Sequence, residues 1–113
     1  MNLEVIGRHT EVTADIREFA GKRADKLQKF FDRIHSLRVI VGSEGAGHHA
    51  EFVAHLVKGD MVVAKADAQD IYESIEAAAE RLEHQLRKYK ERLRNHRGKA
   101  AAEGEAEAGE SEE

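Results

Sequence analysis

Cysteine is absent from the 113 residues. That removes disulfides, thiolate metal sites and cysteine nucleophiles, and it fits a reducing compartment. Aromatic residues make up 5% of the chain, and no strand-like segment carries an exposed stripe of Tyr or Phe. Base stacking of the kind that sheets offer to single strands is therefore not expected. No apolar run approaches the length of a signal-peptide core or a membrane span, so a soluble, by default cytoplasmic protein without a membrane partner is expected. Also missing are a phosphate-cradling glycine loop, a nucleophile elbow and a pair of catalytic carboxylates. No catalytic residue, cofactor or small-molecule substrate is assigned, and the protein is not read as an enzyme.

What is present is charge, unevenly placed. The formal net charge is −4, yet residues 1–99 hold all 18 Lys and Arg against 16 Asp and Glu, and the other 6 acids fall in residues 100–113. A slightly basic folded part, residues 1–97, is expected to precede a disordered acidic tail, residues 98–113, whose largest aliphatic residue is Ala. A solubilising or self-screening role is the plain reading of such a tail. One domain with one modest core suits this length.

The longest periodic stretch runs from Asp70 to Arg97. Ile71, Ile75, Ala78, Leu82, Leu86, Tyr89 and Leu93 recur at steps of four and three, which predicts one stripe of a long helix. Acids fill its first half and bases its second, an order that suits the helix dipole. Arg87, Lys88, Lys90, Arg92, Arg94 and Arg97 against the single Glu91 exceed what a dipole needs, and the surplus points to a polyanionic partner.

Earlier in the chain, Leu3 and Val5 alternate with polar neighbours in a short strand. Thr13 is a good N-cap for a helix ending near Phe31 or Ile34, with Ile16, Ala20, Ala24, Leu27 and Phe31 as its buried stripe. Three strands follow: Leu37 to Val41; then, after a flexible turn over residues 42–47, Glu51 to Val57; and, after a tight hairpin at Lys58-Gly59-Asp60, Met61 to Ala68. Leu37, Val39, Val41, Phe52, Ala54, Leu56, Val62, Ala64 and Ala66 are assigned inward. The order β-α-β-β-β-α predicts an α+β two-layer sandwich, a four-stranded mixed sheet with both helices on one face and its first two strands parallel.

On the first helix, Lys22, Lys26, Lys29 and Arg33 form a cationic stripe at steps of four, three and four, with Arg23 beside it and the acids Glu18, Asp25 and Asp32 elsewhere on the wheel. On the second, Arg87, Lys90, Arg94 and Arg97 lie to one side of the buried stripe and Arg81, Lys88 and Arg92 to the other. A solvated face usually interleaves signs; here like charges are kept together. Packed side by side, the helices would line a groove with cations suited to the backbone of structured RNA, with strong salt dependence and little sequence information. The other reading is a protein- or metal-binding module on the open sheet face. Its metal candidates His48, His49, Glu51 and His55 lack an HExxH helix, and adjacent histidines on a strand face opposite sides, so no metal site is assigned. A general double-stranded RNA binder is a third reading.

The βαβββα order, the helix start Glu11-Val12-Thr13-Ala14-Asp15-Ile16-Arg17-Glu18, the join Phe31-Asp32-Arg33-Ile34, and Asp70-Ile71-Tyr72-Glu73-Ser74-Ile75-Glu76 running into a Leu-Glu-His-Gln-Leu-Arg-Lys-Tyr-Lys stretch together resemble the ribosome hibernation-promoting factors over about residues 2–97. Ser74 and Glu76 depart mildly from the family's D-x-Y-x-A-I-D motif. The resemblance implies a bacterial factor on the small ribosomal subunit that occupies the mRNA and tRNA channel at the A and P sites and silences translation under stress. It also implies contacts to 16S rRNA from Lys22, Arg23, Lys26, Lys29, Arg81, Arg87, Lys88, Lys90 and Arg92, beside which the wheel places Arg33 and Arg94. A short form is expected, monomeric away from the ribosome, because nothing after Gly98 has the composition of a second folded domain.

Overall fold

A computed structural model describes residues 1–98 of the protein, with side-chain surroundings through Arg94. The acidic stretch lies outside the described residues. The elements are β1 (Asn2–Arg8), α1 (Ala14–Phe30), β2 (Ile34–Glu44), β3 (Gly47–Leu56), β4 (Met61–Ala68) and α2 (Ile71–Gly98), in the expected order. The strands form one sheet in chain order, β1 parallel to β2 and the other neighbours antiparallel.

Local chemistry explains the boundaries of α1. Thr13 caps it, its Oγ1 accepting from the Ile16 N–H at 3.1 Å, with Asp15 in the first turn facing the positive end of the dipole. The helix stops at Phe30, short of the latest expected end. Phe31 turns to extended backbone while its N–H still donates to the Leu27 carbonyl at 2.8 Å. That change carries Phe31 against Tyr89, with ring centroids 5.8 Å apart and nearly perpendicular, and releases Ile34 into β2.

The turn expected over residues 42–47 is corrected. Strand β2 continues to Glu44 and β3 already begins at Gly47, leaving Gly45 and Ala46 as a two-residue connection. Gly42 pairs with His49 and Ser43 with His48. The glycines suggest a loop, but cross-strand pairing satisfies their backbone groups, and that outweighs local propensity. Gly45 has φ +60, a conformation that glycine adopts without steric cost and that two-residue hairpin connections use.

The inward assignments hold. Leu37, Val39, Val41, Phe52, Ala54, Leu56, Ala64 and Ala66 are buried, and Val62 packs at their margin. The stripes of both helices cover them, with Ile16, Ala20, Ala24 and Leu27 from α1 and Ile71, Ile75, Ala78, Leu82, Leu86 and Tyr89 from α2. Ser74, at the motif departure, is buried, and its hydroxyl donates to the Ile71 carbonyl at 2.7 Å, so burial leaves it satisfied. Ala64 and Ala66 on β4 and Ala78 and Ala79 on α2 are all buried in this core, and α2 packs on β3 and β4. Arg81 and Gln85 reach from α2 to the Lys65 and Val63 carbonyls at 2.6 and 3.1 Å, capping acceptors on the β4 edge.

Contacts between the helices set their direction. Phe19 meets Tyr72 edge-on at 5.3 Å, Arg23 meets Glu76 and Phe31 meets Tyr89, so partners ascend together. The two helices therefore run parallel, and α1 ends beside Tyr89 and Lys90, about two turns before α2 ends at Gly98.

Candidate nucleic-acid interface

Where α1 ends against the later turns of α2 lies a cleft of about 520 Å³, lined by Lys29, Phe30, Phe31, Asp32, Arg33, Lys58, Lys90, Leu93 and Arg94. Five cations face one acid. Repulsion among them is offset in part by the negative end of the α1 dipole. One carbonyl contributes directly, Phe30 accepting from Lys90 Nζ at 3.2 Å. Phe30 also offers its ring, with Lys90 Nζ 4.8 Å and Arg87 Cζ 5.2 Å from its centroid. Arg87 is held from behind by Glu83, whose Oε2 is 3.3 Å from its Nη2. Lys90 and Arg87 thus share one aromatic ring while remaining exposed.

The third contributor to the cleft, the β3–β4 loop, is tied down by α2. The Tyr89 hydroxyl donates to Asp60 Oδ2 at 2.7 Å. Within the loop, the Leu56 N–H donates to the Asp60 carbonyl at 2.8 Å. Burial pushes the Tyr89 phenol up to about 12, helped by the hydrogen bond to Asp60 and that carboxylate's charge, while Arg92 and Arg33 pull the other way. Lys58 is presented from this anchored loop.

The expected residues divide into three groups. Lys29, Arg33, Lys90 and Arg94 come together in the cleft, with Arg87 at its side. Lys22 and Lys26 are exposed on the same helix, but Lys22 lies 3.7 Å from Glu18, so that acid is on the cationic flank and not elsewhere on the wheel. Arg81, Lys88 and Arg92 belong to the opposite flank of α2, beside β4. There Arg81 is engaged by the Lys65 carbonyl, and Arg92 Cζ sits 5.7 Å from the Tyr89 ring centroid.

Arg23 departs from expectation. It is 9% exposed and turns between the helices, its Nε 3.1 Å from Glu76 Oε1 without the alignment of a hydrogen bond. Helical phase places it between the buried stripe and the cationic flank, and the approach of α2 decides the matter. Lys58 is the opposite case. It stands alone in a hairpin loop with no periodic partner, so only the fold brings it to the other cations.

The histidine group is dispersed by strand geometry. His49 points to the open sheet face, where its Nδ1 lies 2.6 Å from Asp67 Oδ1, whereas His48 belongs to the opposite side with Ala50 and Phe52. Among the described residues no three His, Asp or Glu side chains are grouped to hold a metal ion, and no helix is long and apolar enough to cross a membrane.

Comparison with known proteins adds independent findings. The family model described as Sigma 54 modulation protein / S30EA ribosomal protein matches residues 3–94. The ribosome hibernation promoting factor of Escherichia coli (strain K12) is 34% identical over 96 residues, 85% of this chain and 100% of that protein. Its counterpart from Pseudomonas putida KT2440 is 33% identical over 92 residues, 81% of this chain and 89% of that one. The crystal structure of the Thermus thermophilus Protein Y N-terminal domain superposes with a TM-score of 0.71 at 30% identity, covering 79% of this chain and 99% of that chain. A ribosomal subunit interface protein from Coxiella burnetii shares the fold, with a TM-score of 0.75 at 24% identity over 80% of this chain and 98% of that one. With a match that runs from β1 to the last cleft residue of α2, the chain belongs to the Sigma 54 modulation protein / S30EA ribosomal protein family, that of the ribosome hibernation promoting factors.

Proposed function

We propose that the protein is a cytoplasmic, non-enzymatic ribosome hibernation factor that binds the small ribosomal subunit through its basic helix faces. There it occupies the channel that mRNA and tRNA need at the A and P sites. The observation that carries this reading is the gathering of Lys29, Arg33, Lys58, Lys90 and Arg94 from three separate segments into one cleft, in a chain whose relatives are named for ribosome hibernation. Each cation that meets a phosphate of 16S rRNA releases condensed counterions, which supplies affinity without reading sequence. The two helices, backed by a four-stranded sheet, act as a stiff wedge: translation is blocked by occupancy and no bond is made or broken. Exposed Lys22 and Lys26 extend the contact along α1, and Lys88 and Arg92 provide a second line on the other flank of α2.

Sedimentation with small subunits at rising salt tests this. The protein co-migrates at low salt, and the logarithm of its affinity falls linearly with the logarithm of salt concentration. The combined variant Lys29→Glu, Arg33→Glu, Lys90→Glu and Arg94→Glu loses co-migration and no longer competes with tRNA for the P site. Unchanged co-migration of that variant refutes the cleft as the contact, and equal affinity for any long RNA duplex favours a general double-stranded RNA binder instead.

A further inference from the structure

We propose that residues 100–113 of this same chain are a ligand of the cationic cleft, occupying it in the absence of RNA and competing with RNA for it. Residues 100–113 contain six Glu and no Lys or Arg, and the family match ends at residue 94, before they begin. The cleft is the complementary surface, with Lys29, Arg33, Lys58, Lys90 and Arg94 against the single Asp32. Position favours the pairing as much as charge does. Lys90 and Arg94 lie on α2 itself, about 12 and 6 Å along the axis from its end at Gly98. The nine Cα–Cα steps from Gly98 to Glu107 can bridge up to about 30 Å, so both cations are within reach.

Spacing within the run also fits. Glu103, Glu105 and Glu107 alternate with Gly104 and Ala106, so an extended chain puts three carboxylates on one side about 7 Å apart, with nothing bulky between them. Attachment at α2 gives the acidic run an effective concentration on the order of millimolar, so even a weak contact is populated. Because the attraction is between solvent-facing charges, it fades over a Debye length of about 8 Å at physiological ionic strength. An RNA surface presenting many phosphates displaces the run; a sparse polyanion does not, which sharpens the choice of partner. This competition rests on the proposed RNA binding, whereas the contact itself does not.

The absence of cysteine makes Ser111→Cys a unique attachment point for a nitroxide on the full chain. At low salt the label should broaden the amide signals of Arg33, Lys58 and Lys90 and spare Glu51 on the open sheet face. The broadening should vanish when Glu103, Glu105, Glu107 and Glu110 are changed to Gln, or when salt is raised well beyond physiological strength. The same Gln variant should bind isolated small subunits roughly threefold or more tightly at low salt, with the gap closing as salt rises. Broadening that is absent, uniform or unaffected by the Gln substitutions overturns the contact, and unaltered affinity overturns the competition. If neither protein binds small subunits while the cleft signals still broaden, the ribosomal reading falls and the contact stands.

Discussion

Arg23 separates a cation that holds the fold from one that holds a partner. Its side chain is 11% exposed and lies between the helices, within 3.1 Å of a Glu76 side chain that is itself 44% exposed. Arg23→Met keeps most of the packed stem and removes a partly desolvated charge, so stability should change by no more than about 1 kcal/mol in either direction. Glu76→Gln leaves the cation in place without its counter-charge. A fully buried pair broken in this way loses about 3–5 kcal/mol, but Glu76 is half in water, so about 1–2 kcal/mol is expected. Each kcal/mol should appear as a fall in Tm of about 4–8 °C. Urea and thermal denaturation measure both effects, and sedimentation with small subunits supplies the second readout. Arg23→Met should leave the salt dependence of binding unaltered, whereas Lys26→Met, which removes an exposed cation from the same helix, should reduce the slope by roughly 0.7–0.9. The reasoning is refuted if Arg23→Met lowers the slope as Lys26→Met does, or if Glu76→Gln is as stable as the parent.

Tyr89 should give the protein a pH-dependent stability in the alkaline range. Its folded pKa is raised from 10.0 to about 12, so the folded phenol keeps a proton that the unfolded chain gives up; the stabilisation is complete below pH 10 and is lost as pH climbs to 12. The unfolding free energy from urea denaturation should fall between pH 9 and 12 by about 1–3 kcal/mol more for the parent than for Tyr89→Phe, and parallel curves would contradict this. Gly7→Ala should destabilise by about 1–3 kcal/mol, because a Cβ there would sit 2.4 Å from the Thr10 carbonyl oxygen and the backbone would have to move; equal urea midpoints would show that the β1–α1 connection gives way freely. Phe30→Leu keeps an apolar side chain but removes the ring beneath Lys90 and Arg87, and a loss of about 1–2 kcal/mol is expected in urea denaturation with an unchanged m-value.

Much of this architecture was legible in the sequence because periodicity reports burial directly. Steps of four and three in α2 picked out Ile71, Ile75, Ala78, Leu82, Leu86 and Tyr89, all buried, but not Ser74 and Ala79, which are buried beside them, and Thr13 marked the start of α1 through a hydrogen bond that spans three residues. Alternation from Leu37 to Val41 and from Phe52 to Leu56 chose the inner face of the sheet. Strand ends were less visible, since pairing with β3 and not local composition carries β2 on to Glu44. The candidate site was legible as two one-sign helix flanks, but not as a cleft.

The sequence by itself determined which residues face inward and that lysine and arginine crowd the later turns of both helices, since both follow from fixed geometry along a single element. Only the tertiary structure decided that the helices run parallel, that the end of α1 at Phe30 meets Lys90, that Lys58 joins them from a distant hairpin, and that Arg23 is withdrawn toward Glu76. Those outcomes depend on distances between elements that the chain's local periodicity does not encode. They are set by how small alanines and large aromatics let the two layers close.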